Sequence, residues 1–157
     1  MDKNNSVASL HLHGLYFEDM ALGMTAVHSK TITDADIVLF TGVSGDTNPV
    51  HHDDEFAANT IFGERIAHGM LTASLLSTVF GTKLPGPGCV YISQNLRFRA
   101  PVRIGDTVVA RVTVEETVPE KNRVRFRCAC LVGDSEVISG EAVLLVPSRP
   151  PHSVLEE

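Results

Sequence analysis

Cysteine is scarce, with three in 157 residues. Cys128 and Cys130 stand two apart, so on a strand they share one face, which does not suggest a disulfide framework. No Cys-x-x-Cys or His-x-x-x-His pattern occurs, which removes the common zinc arrangements. No apolar run approaches the roughly 18–20 residues that span a bilayer. Basic residues are also in deficit: the net charge is −6, whereas a dedicated nucleic-acid binder needs a net basic face. The opening MDKNNSVASLHLHG lacks the apolar core of a signal peptide. A cytoplasmic protein is therefore expected, with no membrane and no nucleic-acid partner. There is no internal repeat and no low-complexity segment.

What is present is ordinary globular composition, 43% hydrophobic and 20% charged. The length fits one domain and excludes a separate cofactor domain. Any active site must be compact, or completed by a second copy. Residues 15–147 read as one unit between flexible ends at 1–14 and 148–157.

Residues 24–31 alternate weakly, as a strand does. Thr33 with Asp36 three residues on is an N-cap arrangement. Ile37, Phe40 and Thr41 follow at helical spacing, and Gly42 is expected to end that helix. Pro49 drives Asn48 out of the helical region, so residues 46–50 are expected to form a turn. A short helix is expected over 53–62. Residues 66–81 give the longest helical signal, apolar nearly all round, hence a buried helix. Leu84-Pro-Gly-Pro-Gly88 stops it. From Cys89 the period changes to two, and four strands follow, over 89–102, 106–116, 123–133 and 136–147. In the third, Val124, Phe126, Cys128, Cys130 and Val132 share one face, and Arg123, Arg125 and Arg127 the other. The order implies α+β with a largely antiparallel sheet.

The stretch with most chemical content is Gly45-Asp46-Thr47-Asn48-Pro49-Val50-His51. It sets a carboxylate and an imidazole five residues apart across a proline-stiffened segment, which can aim both at one point. Histidine titrates near neutrality and passes protons either way. A carboxylate beside it can hold a water and accept its proton. Asn48 can fix the segment by bonding to its own backbone. The same pattern also fits a plain Asx/Pro turn with a solvated histidine.

Other motifs say less. In His51-His52-Asp53-Asp54 adjacent side chains diverge, so the acids are better read as first-turn residues of a helix than as metal ligands. Gly42-Val-Ser-Gly45 is not Gly-x-Ser-x-Gly. Gly86-Pro-Gly88 has Tyr91 where a dinucleotide fingerprint needs its third glycine. His68-Gly69 opens the apolar helix, where free N–H groups carry partial positive charge. With no side chain at Gly69, an N–H there can hold a developing oxyanion, or the glycine serves close packing alone. The arginines at 97, 99, 103, 111, 123, 125 and 127 all fall in the strand half. Most are explained as solvated surface, although a subset could meet ligand phosphates.

Several of these segments together resemble the MaoC-like hydratases, most closely the short (R)-specific enoyl-CoA hydratases. The signature is an aromatic residue, a short spacer, then Gly-Asp-x-Asn-Pro-aliphatic-His with a downstream alanine. Here it reads Phe40, then Gly45-Asp46-Thr47-Asn48-Pro49-Val50-His51, then Ala57. Ile66-Ala-His68-Gly69-Met-Leu71 with Ser74-Leu75 resembles the family's central helix. Gln94-x-Leu96-x-Phe98 with Pro101-Val102 and Gly105-Asp106 resembles a later strand pair. Tyr16-Phe-Glu-Asp19 with Gly23 resembles its opening. The resemblance spans residues 16–147.

It implies a hot-dog fold, an antiparallel sheet wrapped around the long helix, in a homodimer with the site at the subunit boundary and further assembly left open. It implies Asp46 and His51 as the catalytic pair, holding a water and adding it to a trans-2-enoyl-CoA to give a (3R)-hydroxyacyl-CoA. Asp46 would most simply be the base on the water, with His51 assisting. Gly69 N–H would hold the thioester oxygen, Ser77 would be a supporting contact and Asn48 would brace the pair. No cofactor and no metal is expected. Two alternatives share the fold: a (3R)-hydroxyacyl dehydratase working on acyl carrier protein, and an acyl-CoA thioesterase, against which the intact Asp46–His51 spacing speaks.

Overall fold

Successive side chains leave opposite faces of a strand, so the period-two segments fold into a sheet with one dry side. The computed structural model describes residues 12–150. It contains β1 (Thr25–Thr31), β2 (Val90–Phe98), β3 (Thr107–Val118), β4 (Arg123–Val132) and β5 (Ser135–Leu145). They form one sheet in the order β1-β3-β4-β5-β2, every neighbouring pair antiparallel. On β4 the expected faces appear: Val124, Phe126, Cys128 and Cys130 are fully buried, while Arg123 and Arg127 point to solvent. All three cysteines are free.

Four helices lie among and against these strands: α1 (Asp34–Ser44), α2 (Pro49–His52), α3 (Asp54–Ala58) and α4 (Gly69–Thr82). α4 packs on β3, β1 and β4, and Leu76, Val79 and Phe80 enter a core with Val108, Val112, Phe126 and Leu144. A helix wrapped by an antiparallel sheet is the hot-dog arrangement that the resemblance implied, on the α+β element order read from the residues.

Several boundaries differ from expectation for identifiable reasons. The Thr33–Asp36 capping box forms, but α1 runs through Gly42 to Ser44. It ends at Gly45, whose φ of 78° lets its N–H close back on Thr41 O. Residues 49–50 are helical rather than turn: Asn48 caps α2 by accepting from Val50 N–H, and Pro49 occupies the first helical position, where a missing N–H costs nothing. α3 stops at Ala58 instead of 62. α4 starts at Gly69, not 66, because Ile66 bridges to Arg103 and Ala67 N–H donates to Val102 O. Nor is α4 buried all round, since Met70, Ser74 and Ser77 lie on an exposed stripe.

Most of the expected flexible ends falls outside the described residues. Within them, Gly14 N–H donates to Pro87 O at 2.7 Å, and Arg149 pairs with Asp19. Among the described residues, no helix is long and apolar enough to cross a membrane.

Candidate active site

The end of α1, all of α2 and the start of α4 meet at one place. His51 is 7% exposed and His68 2%. Their rings stack with centroids 3.8 Å apart and planes 32° from parallel. Asp46, on the irregular link between α1 and α2, completes the group: one ligating atom from each of Asp46, His51 and His68 lies within 4.8 Å of the others. The fold thus brings Asp46 and His51, five residues apart in sequence, close together.

Each side chain is held by identifiable bonds. His51 Nδ1 lies 2.7 Å from Ile66 O. A carbonyl only accepts, so Nδ1 carries the proton and the neutral ring keeps its lone pair on Nε2. Burial is the main influence on His51 and pushes its pKa below the ordinary value of 6.5. The Ile66 bond and the charge of Asp46 oppose this, while His68 and His52 add to it. A neutral imidazole with an open lone pair is a proton acceptor near pH 7. Asp46 is exposed. Its Oδ1 accepts from Asn48 N–H at 3.1 Å, so Asn48 braces both the carboxylate and the α2 cap.

His68 was read from sequence only as the residue before the helix, and its part in the site was missed. Its Nε2–H donates to the Asp46 carbonyl oxygen at 3.1 Å and points to Thr41 Oγ1 at 3.3 Å. Thr41 Oγ1 is in turn hydrogen-bonded with His52 Nε2 at 2.6 Å. Phe40, the aromatic residue of the motif, leans on His68 with centroids 5.0 Å apart. The available signal was a histidine placed where a helix N-terminus meets the Asp46 segment. Contacts across 22 residues leave no local pattern.

Two histidines and a carboxylate so close raise the question of a metal. An ion must lie in the plane of each imidazole at about 2.0–2.1 Å from nitrogen. The two rings are tilted by 32°, and His51 Nδ1 and His68 Nε2 are already committed to carbonyl oxygens, which leaves His51 Nε2 and the buried His68 Nδ1 as the uncommitted ring nitrogens of the pair. His52, Asp53 and Asp54 disperse as expected: His52 to Thr41, Asp53 to the cap of α3, Asp54 to Arg65.

Gly69 is the first residue of α4, and among the described residues no protein acceptor takes its N–H. An added Cβ there would lie 2.8 Å from Phe98 Cε1. The glycine thus serves close packing and leaves a free donor at once. Gly69, Thr72, Phe98, Val102 and Ile138 line an apolar cavity of about 360 Å³. Ser77 stands two helical turns further on, exposed, without a hydrogen bond to the group. Of the strand arginines, Arg99, Arg103, Arg125 and Arg127 are ion-paired with glutamates.

A family model described as a MaoC-like domain matches residues 20–135. A 3-hydroxybutyryl-CoA dehydratase of Methylorubrum extorquens is 54% identical over 138 residues, 88% of each chain. An (R)-specific enoyl-CoA hydratase of Rhodospirillum rubrum is 54% identical over 144 residues, 92% of this chain and 99% of that one. The solved structure of an unliganded R-hydratase from Pseudomonas aeruginosa superposes with a TM-score of 0.82 at 39% identity, over 91% of this chain and 98% of that one.

Proposed function

The chain belongs to the MaoC-like family, and we propose that it is an (R)-specific enoyl-CoA hydratase, reversibly adding water to a trans-2-enoyl-CoA to give the (3R)-hydroxyacyl-CoA. The observation that carries this is the pairing of the Asp46 carboxylate with a buried, neutral His51 whose Nδ1 proton is committed to Ile66 O. That tautomer favours a division of labour opposite to the simplest sequence reading. His51 Nε2 takes one proton of the water as its oxygen bonds to the β-carbon and passes that proton to the α-carbon, while the Asp46 carboxylate accepts a hydrogen bond from the water's other O–H and holds it in line. Electron density moves to the thioester oxygen, where the free N–H of Gly69 at the positive end of α4 stabilises it. In the reverse direction the same groups dehydrate the hydroxyacyl thioester. No metal or organic cofactor is needed for this chemistry.

The working form is a cytoplasmic homodimer. β2 is an edge strand that exposes Val90, Tyr91, Ile92 and Phe98, and an uncovered apolar edge invites pairing. A second copy along β2 also covers the exposed stripe of α4, and Ser77 would meet substrate or partner there.

The test uses purified protein, crotonyl-CoA and no added metal. The conjugated absorbance should fall and 3R-hydroxybutyryl-CoA should accumulate. Asp46→Asn and His51→Ala should each lower kcat by about 10²–10⁴-fold with the fold intact, the range for general acid–base groups. Thiol release at the rate of absorbance loss would mean a thioesterase. Strong preference for the same acyl group on carrier protein would mean the carrier-protein dehydratase.

A further inference from the structure

We propose that His68 is a positioning residue of this site, holding the Asp46 main chain with one ring nitrogen and walling His51 off from water with its ring face. The inference rests on the hydratase reading of the Asp46–His51 pair.

Three observations lead there. First, packing alone is a poor reason for a histidine at this position. The ring is almost fully buried, and its Nδ1 has no hydrogen-bond partner. A leucine or phenylalanine would fill the space without an unpaired polar atom. Second, Asp46 lies in an exposed, irregular segment, and its other tethers are local. Its N–H donates to Ser44 Oγ and its carboxylate accepts from Asn48 N–H, each two residues away. Among the described residues, only the bond from His68 Nε2–H ties it to a distant element, 22 residues on. Third, that donor is fixed in place. A carbonyl only accepts, so the bond to Asp46 O keeps the His68 proton on Nε2, and Thr41 Oγ1, itself bonded to His52, stands 3.3 Å from the same nitrogen.

The second role follows from the stack. Water cannot reach the face of His51 that His68 covers. The titratable groups facing His51 are Asp46 from the preceding link, His52 from its own helix and His68. With one face covered, His51 stays neutral and ready to accept a proton.

Two substitutions separate the roles. His68→Phe keeps a flat ring against His51 and loses the donor. His68→Gln keeps an N–H near Nε2 and loses the ring. In folded His68→Phe, kcat on crotonyl-CoA should fall by about 10-fold or more, as small displacements of a catalytic group do, with KM nearly unchanged. His68→Gln should regain much of that kcat. Its His51, followed by NMR through the imidazole Cε1–H without substrate, should titrate closer to the ordinary value of about 6.5 than in wild type. Wild-type kcat in folded His68→Phe, or an identical His51 titration in all three proteins, overturns the proposal. If neither variant folds, Thr41→Val decides. It removes the hydroxyl that flanks His68 Nε2 without touching the ring, loosening the hold on Asp46, and should cost about 2–10-fold in kcat, the worth of one hydrogen bond; no loss overturns the proposal. Failure of wild type to hydrate crotonyl-CoA would sink the hydratase reading instead, and the His51 titration would still decide whether His68 shields it.

Discussion

Replacing Gly69 with alanine tests the two roles that meet at the start of α4. The new Cβ would stand 2.8 and 2.9 Å from Cε1 and Cδ1 of Phe98. Carbon atoms in contact prefer about 3.5–4.0 Å, so the ring or the helix start must give by roughly 0.7 Å. Phe98 is 54% exposed, so the ring can withdraw outward. The strain then belongs near the low end of the range for overpacking, about 1 kcal/mol. Alanine also loses less backbone freedom on folding than glycine, which returns about 0.5–1 kcal/mol. The net change in stability should be close to zero, within about 1 kcal/mol, by urea titration. Activity should behave differently. The N–H survives but is displaced, and the cavity at its side changes shape, so kcat for crotonyl-CoA should fall by about 10–10²-fold. Phe98→Leu removes the obstructing ring carbons, so in that background Gly69→Ala should cost much less. Wild-type kcat in Gly69→Ala alone would refute the role of this N–H. An equal loss with and without Phe98 would refute the steric reasoning.

Two further outcomes are expected. Burial holds the folded-state pKa of His51 below 6.5, so across that window the unfolded chain binds a proton that the folded chain does not. The His51 contribution to stability is therefore full above about pH 6.5, declines as pH falls through the window, and levels off below the folded value. Urea titrations between about pH 7.5 and 5 should show a steeper acid loss in wild type than in His51→Asn, and equal slopes would contradict this. At the β2 edge, Ile92→Lys should convert a two-chain sedimenting species into a single chain, because an edge lysine blocks strand pairing; an unchanged mass would place the seam elsewhere.

Much of this molecule was legible because its signals are local. Alternation over β4 names Val124, Phe126, Cys128 and Cys130 as buried, although Val132 is only half-buried and Ala129 on the other face is buried too, and the Thr33–Asp36 box marks the start of α1 to the residue. Where the reading slipped, a second local rule competed. Gly42 looked like a helix end because glycine often is one, yet Gly45 three residues later is the position that adopts positive φ. Pro49 looked like a helix breaker, but at a first helical position it starts one. The length of the α4 signal ran back to 66 because Ile66 and Ala67 are apolar; they are apolar for a different reason, being buried beside Val102. Asp46 and His51 were visible as a spaced pair. The partner that holds them was not, since a ring stacked from 17 residues away, and bonded to a carbonyl any residue could supply, writes nothing into the sequence between.

The site is lopsided in a way that bears on how it works. His51 and His68 are dry, whereas Asp46 and Gly69 are exposed. Transferring a proton and stabilising an oxyanion both gain from excluding bulk water, so the half made by α2 and His68 meets that need and the other half does not. The elements that carry the site also expose apolar side chains: Val38, Leu39 and Val43 on α1, Met70 on α4 and, against Gly69, Phe98 on β2. An isolated surface does not gain by presenting them to water. A second copy joined along β2 and α4, with the acyl chain of the substrate between, would cover these groups and dry Asp46 together. In such a dimer, association and substrate binding together would complete the acid–base pair.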